Sequence, residues 1–287
     1  MSASGTLYVV ATPIGNRSDL SDRARETLAA VELIAAEDTR HTGLFLAQLG
    51  IQTKLLSLHE HNEASRAGEL VARLLAGAQI ALVSDAGTPL VSDPGYRLVA
   101  AAGAAGVRVV PIPGACAAIA ALSIAGVPTD RFVFEGFLPP KAAARRSRLA
   151  ALASEPRTLV FYEAPHRIAE TLGDLAGAFD AGRPAVLARE LTKLHESVYR
   201  GTLGELVARS ATDPNMVRGE AVVVVAGAPE TDVAAAQDAG RLDRLLGPLL
   251  VALPLSQAVD LVVDTTGERR NRVYERALAL RAGGGEA

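Results

Sequence analysis

The chain has 287 residues, of which 49% are hydrophobic and 21% charged, with a formal net charge of −3. That length points to two domains, and the composition excludes a disordered chain. The mild negative charge excludes a surface built throughout to grip nucleic acid, so any RNA contact has to come from a local patch.

In chain order, "MSASGTLYVV" lacks a basic segment followed by a long apolar run, so no secretory leader is expected. No apolar run reaches the length of a membrane span, and the expectation is a soluble cytoplasmic protein with no membrane contact. "TLYVVATPIG" is a β-branched run that feeds a loop. Ser21 then caps a helix with Ala24 and Leu28 at helical spacing. "VELIAAEDTR" is a second strand ending in charge, and "HTGLFLAQLG" is a helix closed by Gly50. "KLLSLHEHN" is a third strand, residues 63–77 a helix and "AQIALVSD" a fourth strand. Asp93 and Pro94 predict the N-cap and first residue of the next helix, which Gly106 ends. "VRVVPIPG" is a fifth strand, and a small-residue helix follows from Ala115. The single cysteine, Cys116, excludes a disulfide framework or a Cys-rich zinc site and reads as a small buried residue.

Strands and helices that alternate over short loops predict an open, mostly parallel sheet covered on both faces. Ligands of such sheets collect beyond the C-terminal strand ends, where "ATPIGN", "AAEDTRHT", "SLHEHNE" and "VSDAGTPLVSDPG" lie. Asp85 follows its strand too early to cap the later helix, which marks it for a ligand or a backbone nest. After a linker near "GFLPPKAAARR" the pattern restarts with "RTLVFYEAPHR", "HRIAETLGDLAGAF", "RPAVLARELTK", "HESVYRGTLGEL" and "GEAVVVVAGAP". These predict a second α/β domain, mixed or antiparallel. The tail reads as helical from about residue 240, with "LPLSQAVDLVVDTTG" and "ERRNRVYERALALRA" loosely a helix-turn-helix. The expected boundaries are 1–125, 126–232 and 233–287.

No G-x-G-x-x-G follows the first strand, and neither a P-loop nor a G-x-S-x-G elbow is present. His59 and His61 in "HEH" could pair on a metal, but no third ligand is identifiable, so no metal site is expected.

"VVATPIGN", "IAAEDTRHT", "VSDAGTPLVSDPG", "PIPGACAAIAAL", "FYEAPHR" and "RELTKLHE" occur in that order. Together they resemble the ribosomal RNA small subunit methyltransferase I family of the tetrapyrrole methylase superfamily, from about residue 6 to 229 and more weakly through the tail. "EDTRHT", "SDAGTPLVSDPG" and "FYEAPHR" separate this branch from the porphyrin and corrin methylases, which usually carry Gly where this chain has Ser84.

The resemblance implies two α/β domains with S-adenosylmethionine in the cleft between them, and a homodimer. It implies methyl transfer to the ribose 2′-oxygen of cytidine 1402 in 16S rRNA, free or in the small ribosomal subunit. By the same resemblance the cofactor touches Ile14, Gly15, Ser84, Asp85, Thr88, Cys116, Ala117, Tyr162, Glu163 and Leu191. Asp85 is expected to be the polar anchor.

In-line transfer to a weak hydroxyl nucleophile needs alignment and is helped by a base. Glu37, Asp38 and Glu163 are the base candidates, and the sequence does not choose among them. Arg40, His59, His166, Arg167, Arg189 and Lys193, with Glu60, Glu190 and Glu196, gather at or just past strand ends. Their alternative is a salt-bridge network; the cations among them suit RNA phosphates. Arg145, Arg146 and Arg148 form a second basic area that is either a solvated helix face or an RNA flank. Tyr274 in the tail is available to stack on a base. The competing functions are a tetrapyrrole or other small-molecule methylase and a non-catalytic ribosome-binding protein.

Overall fold

Strands β1 (Thr6–Val10), β2 (Leu33–Ala36), β3 (Lys54–Ser57), β4 (Gln79–Val83) and β5 (Arg108–Ile112) pair in the order β3-β2-β4-β1-β5, all parallel. The computed structural model that shows this describes residues 5–283. Both faces are covered, so the strands read as continuous apolar runs. One face packs Leu7, Leu33, Ile80 and Leu82 against α3 (Glu63–Leu75) and α4 (Tyr96–Ala104). The other packs Ile34, Ala36, Ala81 and Val83 against α1 (Asp22–Ala30) and α2 (Thr39–Gln48).

The chain leaves β1 toward β2 and leaves β4 across β1 toward β5. These neighbouring strands therefore send their connections in opposite directions, which opens a crevice above their C-terminal ends. β3 is the sheet edge, so "SLHEHNE" ends far from that crevice.

The start of α4 differs from expectation. Its N-cap is Gly95, at φ 128°, and Asp93 does not cap it. The buried carboxylate of Glu63 instead accepts from the amides of Arg97 at 2.6 Å and Leu98 at 3.3 Å. A cap supplied from α3 leaves Asp93 free to turn elsewhere.

The second sheet runs β6-β7-β10-β8-β9 and is mixed. It comprises β6 (Phe132–Phe137), β7 (Thr158–Glu163), β8 (Pro184–Arg189), β9 (Ser197–Thr202) and β10 (Ala221–Val225), of which only β6 and β7 pair in parallel. α6 (Ala142–Leu152), α7 (Ile168–Phe179) and α8 (Leu203–Ser210) accompany it. α5 (Ala117–Ala125) follows the first sheet in sequence but packs Ala118, Ala121, Leu122 and Ala125 onto Val160, Val186, Val222 and Val224 of the second. Its small side chains permit that close approach. Both sheets lie in one compact unit.

The tail contains α9 (Glu230–Ala252), α10 (Leu255–Thr266) and α11 (Arg270–Gly283), and with residues 151–157 it forms a second compact unit. Leu242, Leu246, Val259, Val262, Val273 and Ala277 make its core. Gly267, at φ 71°, closes α10 in the left-handed conformation that glycine adopts without a Cβ penalty. Among the described residues, no helix is long and apolar enough to cross a membrane.

Candidate functional site

Three loops meet above β1 and β4. Thr12 and Gly87 exchange backbone hydrogen bonds of 2.8 and 3.1 Å, and the Thr12 hydroxyl donates to the Ser84 carbonyl at 3.3 Å. Thr88 donates to the Ala115 carbonyl at 2.9 Å, which ties in the turn before α5. The first loop also meets the loop after β8. A Cβ on Gly15 would lie 2.4 Å from Lys193 Cγ and 3.1 Å from the Leu191 carbonyl oxygen, so only glycine fits. The Asn16 amide donates to the Thr192 hydroxyl at 3.1 Å.

These facing loops hold strained backbone. Leu90 and Ser92 sit at φ 75° and 65°, and Glu190 and Thr192 at φ 51° and 66°. Left-handed conformations of such residues cost on the order of 1–3 kcal/mol each and persist only where the surroundings dictate them.

The loops enclose a cavity of about 380 Å³. Of the expected cofactor residues, Ile14, Thr88, Cys116, Ala117, Tyr162, Glu163 and Leu191 line it. Gly15, Ser84 and Asp85 line an adjoining cavity of about 460 Å³ instead. Ile14, Ala86 and Glu220 line both, and they form the seam between them. The sequence reading missed Phe137, Ala188 and Val222, which complete the apolar walls of the first cavity. Their strands read only as core, and nothing local distinguishes them. Phe134 and Phe137 stand edge-on to the Tyr162 ring at 4.9 and 5.6 Å. The Tyr162 hydroxyl oxygen accepts from the Ala118 amide at 3.2 Å. Burial holds this phenol protonated well above the usual range.

The carboxylates fall into two groups. Asp93 lines the first cavity, and burial pushes its carboxyl up to about 6. Glu37 is raised by burial and then by Asp85 beside it. Asp85 accepts from the Asp38 amide at 3.0 Å and so joins the loop after β4 to the start of α2. Asp38 and Glu163, in contrast, are occupied. Asp38 caps α2 and binds Arg40 at 2.9 Å, hydrogen bonds that hold its carboxyl far below the usual range. Glu163 is 2% exposed and accepts from Thr171 Oγ1 at 2.6 Å and the Ala164 amide at 2.8 Å, with Arg167 at 3.3 Å. Both differ from a free base: Asp38 is ion-paired and capping a helix, and Glu163 is buried among hydrogen-bond donors beside Arg167.

The basic residues do not gather into one patch. Arg145 departs furthest from expectation. It is fully buried and pairs with Asp174 at 2.6 Å and Glu170 at 2.9 Å on α7, so it cannot reach RNA phosphates. Arg189 is buried and donates to the Asn215 and His195 carbonyls. Arg167 donates to the Leu138 and Pro139 carbonyls. Arg148 clasps Glu135 through two 2.8 Å bonds, while Arg40, Arg146 and His166 are exposed. Lys193 pairs with Glu190 and Glu220 at the rim of the second cavity. His59 and His61 stand 6.0 Å apart, and among the described residues no group of three potential metal ligands forms.

A parallel sheet with a switch-point crevice, roofed by loops of a mixed second sheet, defines a protein of the tetrapyrrole methylase class. The profile of the Tetrapyrrole (Corrin/Porphyrin) Methylases matches residues 6–207, and that of the RsmI C-terminal HTH domain matches residues 235–281. The fold is shared with uroporphyrin-III-C-methyltransferase from Thermus thermophilus, with a TM-score of 0.55 at 22% identity over 82% of this chain and 98% of that one. The chain belongs to the ribosomal RNA small subunit methyltransferase I family. It is 54% identical to the Pseudomonas aeruginosa protein of that name, over 96% of this chain and 98% of that protein. It is 49% identical to the Synechocystis sp. protein, over 98% of this chain and 100% of that protein.

Proposed function

We propose that this chain transfers a methyl group from S-adenosylmethionine to the ribose 2′-oxygen of cytidine 1402 in 16S rRNA, working as a cytoplasmic homodimer. The observation that carries the reading is the pair of cavities sharing Ile14, Ala86 and Glu220, one suited to a donor and one to an acceptor. The names of the full-length relatives supply the substrate class. A Thermus thermophilus structure of the same fold is complexed with S-adenyl homocysteine.

The first cavity fits the cofactor on its own chemistry. Gly87, at φ 84°, leaves room where a Cβ would press on Ile14. Phe137, Ala188 and Val222 give an apolar wall for adenine, and Asp93 gives a carboxylate for a cation. Ile14, Thr88, Cys116, Ala117, Tyr162 and Leu191 would hold it. When bound, the cofactor supplies an electrophilic methyl group on a positively charged sulfur.

The chain's own residues do the rest. The apolar walls exclude water, and the cavity pair aligns oxygen with methyl carbon, which accounts for much of the rate. Asp85 lines the acceptor cavity and takes the hydrogen of the ribose hydroxyl at its carboxylate. Glu37 lines neither cavity and stands behind Asp85, whose charge adds to the burial that raises the Glu37 carboxyl. The exposed Arg40, Arg146 and His166 are open to contact with RNA phosphates.

The test is to incubate the protein with labelled S-adenosylmethionine and undermodified small subunits, and to map the label. Label on the 2′-oxygen of one cytidine is expected. Label on a base, or none in RNA, would overturn the reading.

A further inference from the structure

The second cavity has a wall that methyl transfer itself does not require. One face of α2 presents His41, Leu44, Phe45 and Gln48 to it, at the spacing that places side chains along one side of a helix. Leu44 is 69% exposed, and His41 and Gln48 are also open to solvent. A large aliphatic side chain held in water beside a ring and an imidazole is an unfilled stacking surface.

The cavity's charges narrow what fills it. Of its two cations, Lys193 is neutralised by Glu190 and Glu220 at 3.0 and 2.8 Å, while Arg17 spends one N–H on the neutral Gln48 amide oxygen at 2.9 Å and keeps its charge. Asp85 adds negative charge within the cavity and Glu220 adds it at the seam. An occupant carrying several carboxylates, as a porphyrin does, would meet repulsion from these and find one uncompensated cation, Arg17, to answer all of them. A flat, uncharged ring fits. Its sugar would lie at the seam, next to the cofactor cavity.

We propose that this cavity receives one unstacked nucleotide, with its base laid against the α2 face formed by His41, Leu44 and Phe45 and its phosphates left at the rim. The inference rests on the RNA-methyltransferase reading and adds where the target base sits. A nucleotide has to leave its helix stack before a ribose oxygen can reach an enclosed methyl group, and an aromatic–aliphatic shelf repays part of the lost stacking.

The decisive variants are Leu44→Ser and His41→Ala, singly and together, because both side chains are exposed and carry no core packing. Methylation of undermodified small subunits is followed alongside thermal unfolding and calorimetric affinity for S-adenosylmethionine. The expected result is a fall in kcat/KM for subunits of about tenfold or more, the scale of one lost base–side-chain stack. The melting temperature and cofactor affinity should stay at wild-type values. Pyrrolocytidine at the target position, quenched by stacking on the wild-type protein, should brighten on the double variant. If the wild type methylates subunits and the double variant matches it within about threefold, well below one lost stack, the nucleotide pocket is wrong and the function stands. If the wild type methylates no RNA ribose, the function reading falls and the pocket with it.

Discussion

The loop at 84–95 and helix α6 both place charge shortly after a strand, and they use it in opposite ways. In the loop, Asp85 and Asp93 line cavities, and burial pushes Asp93 up to about 6. In α6, Arg145 is buried against Asp174 and Glu170, and Arg148 is clasped by Glu135. The loop gives its carboxylates hydrogen bonds but no cation, and both line cavities. The helix neutralises its own with partners from the same lobe. A charge left without a partner beside a cavity costs stability, and that cost is tolerated where a ligand will offset it. A charge matched inside the protein serves the fold.

The comparison breaks first at Asp85. Asp85→Asn keeps the shape and should slow single-turnover methyl transfer by about 10²–10⁴-fold, the usual contribution of a positioned base. Glu163→Gln should leave transfer within about threefold, far less than the loss of a base. A rapid Asp85→Asn enzyme would show that the loop's charges have no chemical role. Next in size is Arg145→Met. It leaves the mostly buried Asp174 with only a 3.6 Å contact to Arg146 and should cost about 3 kcal/mol in urea denaturation, as expected for one partner of a buried pair. A stable variant that binds RNA less well would return α6 to the RNA surface. Gly87→Ala places a Cβ at φ 84° and should cost roughly 1–2 kcal/mol. Calorimetry should show the matching loss in S-adenosylmethionine affinity if the loop must hold that conformation to bind.

Asp93 sharpens the contrast through pH. Its ionised form attracts the cofactor's cation, so affinity for S-adenosylmethionine should fall as pH drops through about 6. Affinity for neutral-sulfur S-adenosylhomocysteine should change less, and Asp93→Asn should remove the difference. The same shift has a sign for folding. With its folded value raised from 3.8 to about 6, Asp93 favours the folded state in acid, and that contribution is lost as pH rises through about 6. The smallest effect belongs to Arg146→Ala, whose side chain is 63% exposed. Stability should change by no more than about 0.5 kcal/mol, while the salt dependence of RNA binding becomes shallower. An unchanged salt slope would leave α6 with no RNA role.

Most of the fold was legible because strands buried on both faces and helices with punctuating Gly or Ser leave local signals. Ser21 does cap α1, and Gly50 does follow α2. Asp93 was misread because the competing cap comes from Glu63, thirty residues away in sequence, and no local pattern reports it. The glycine loops were legible as a site because a left-handed or tightly packed backbone admits few residue types. The arginines were not, because Arg145 and Arg146 are neighbours in one helix and only the position of Asp174 and Glu170 decides which is buried. Phe137 and Val222 gave no warning, since a cavity wall and a core strand have the same apolar sequence.

Helix α5 has a kinetic consequence. It is contributed by the first sheet's half of the chain and seated on β7, β8 and β10 of the other, so it rivets the two halves along one side of the cleft. Opening the cleft as a jaw would have to peel α5 from those strands. Movement of the loops at 84–95 and 190–193 would leave that packing intact, and loops move in nanoseconds to microseconds, faster than whole domains. Those loops are where the left-handed Leu90, Ser92, Glu190 and Thr192 lie, so the backbone strain of this region borders the cavities.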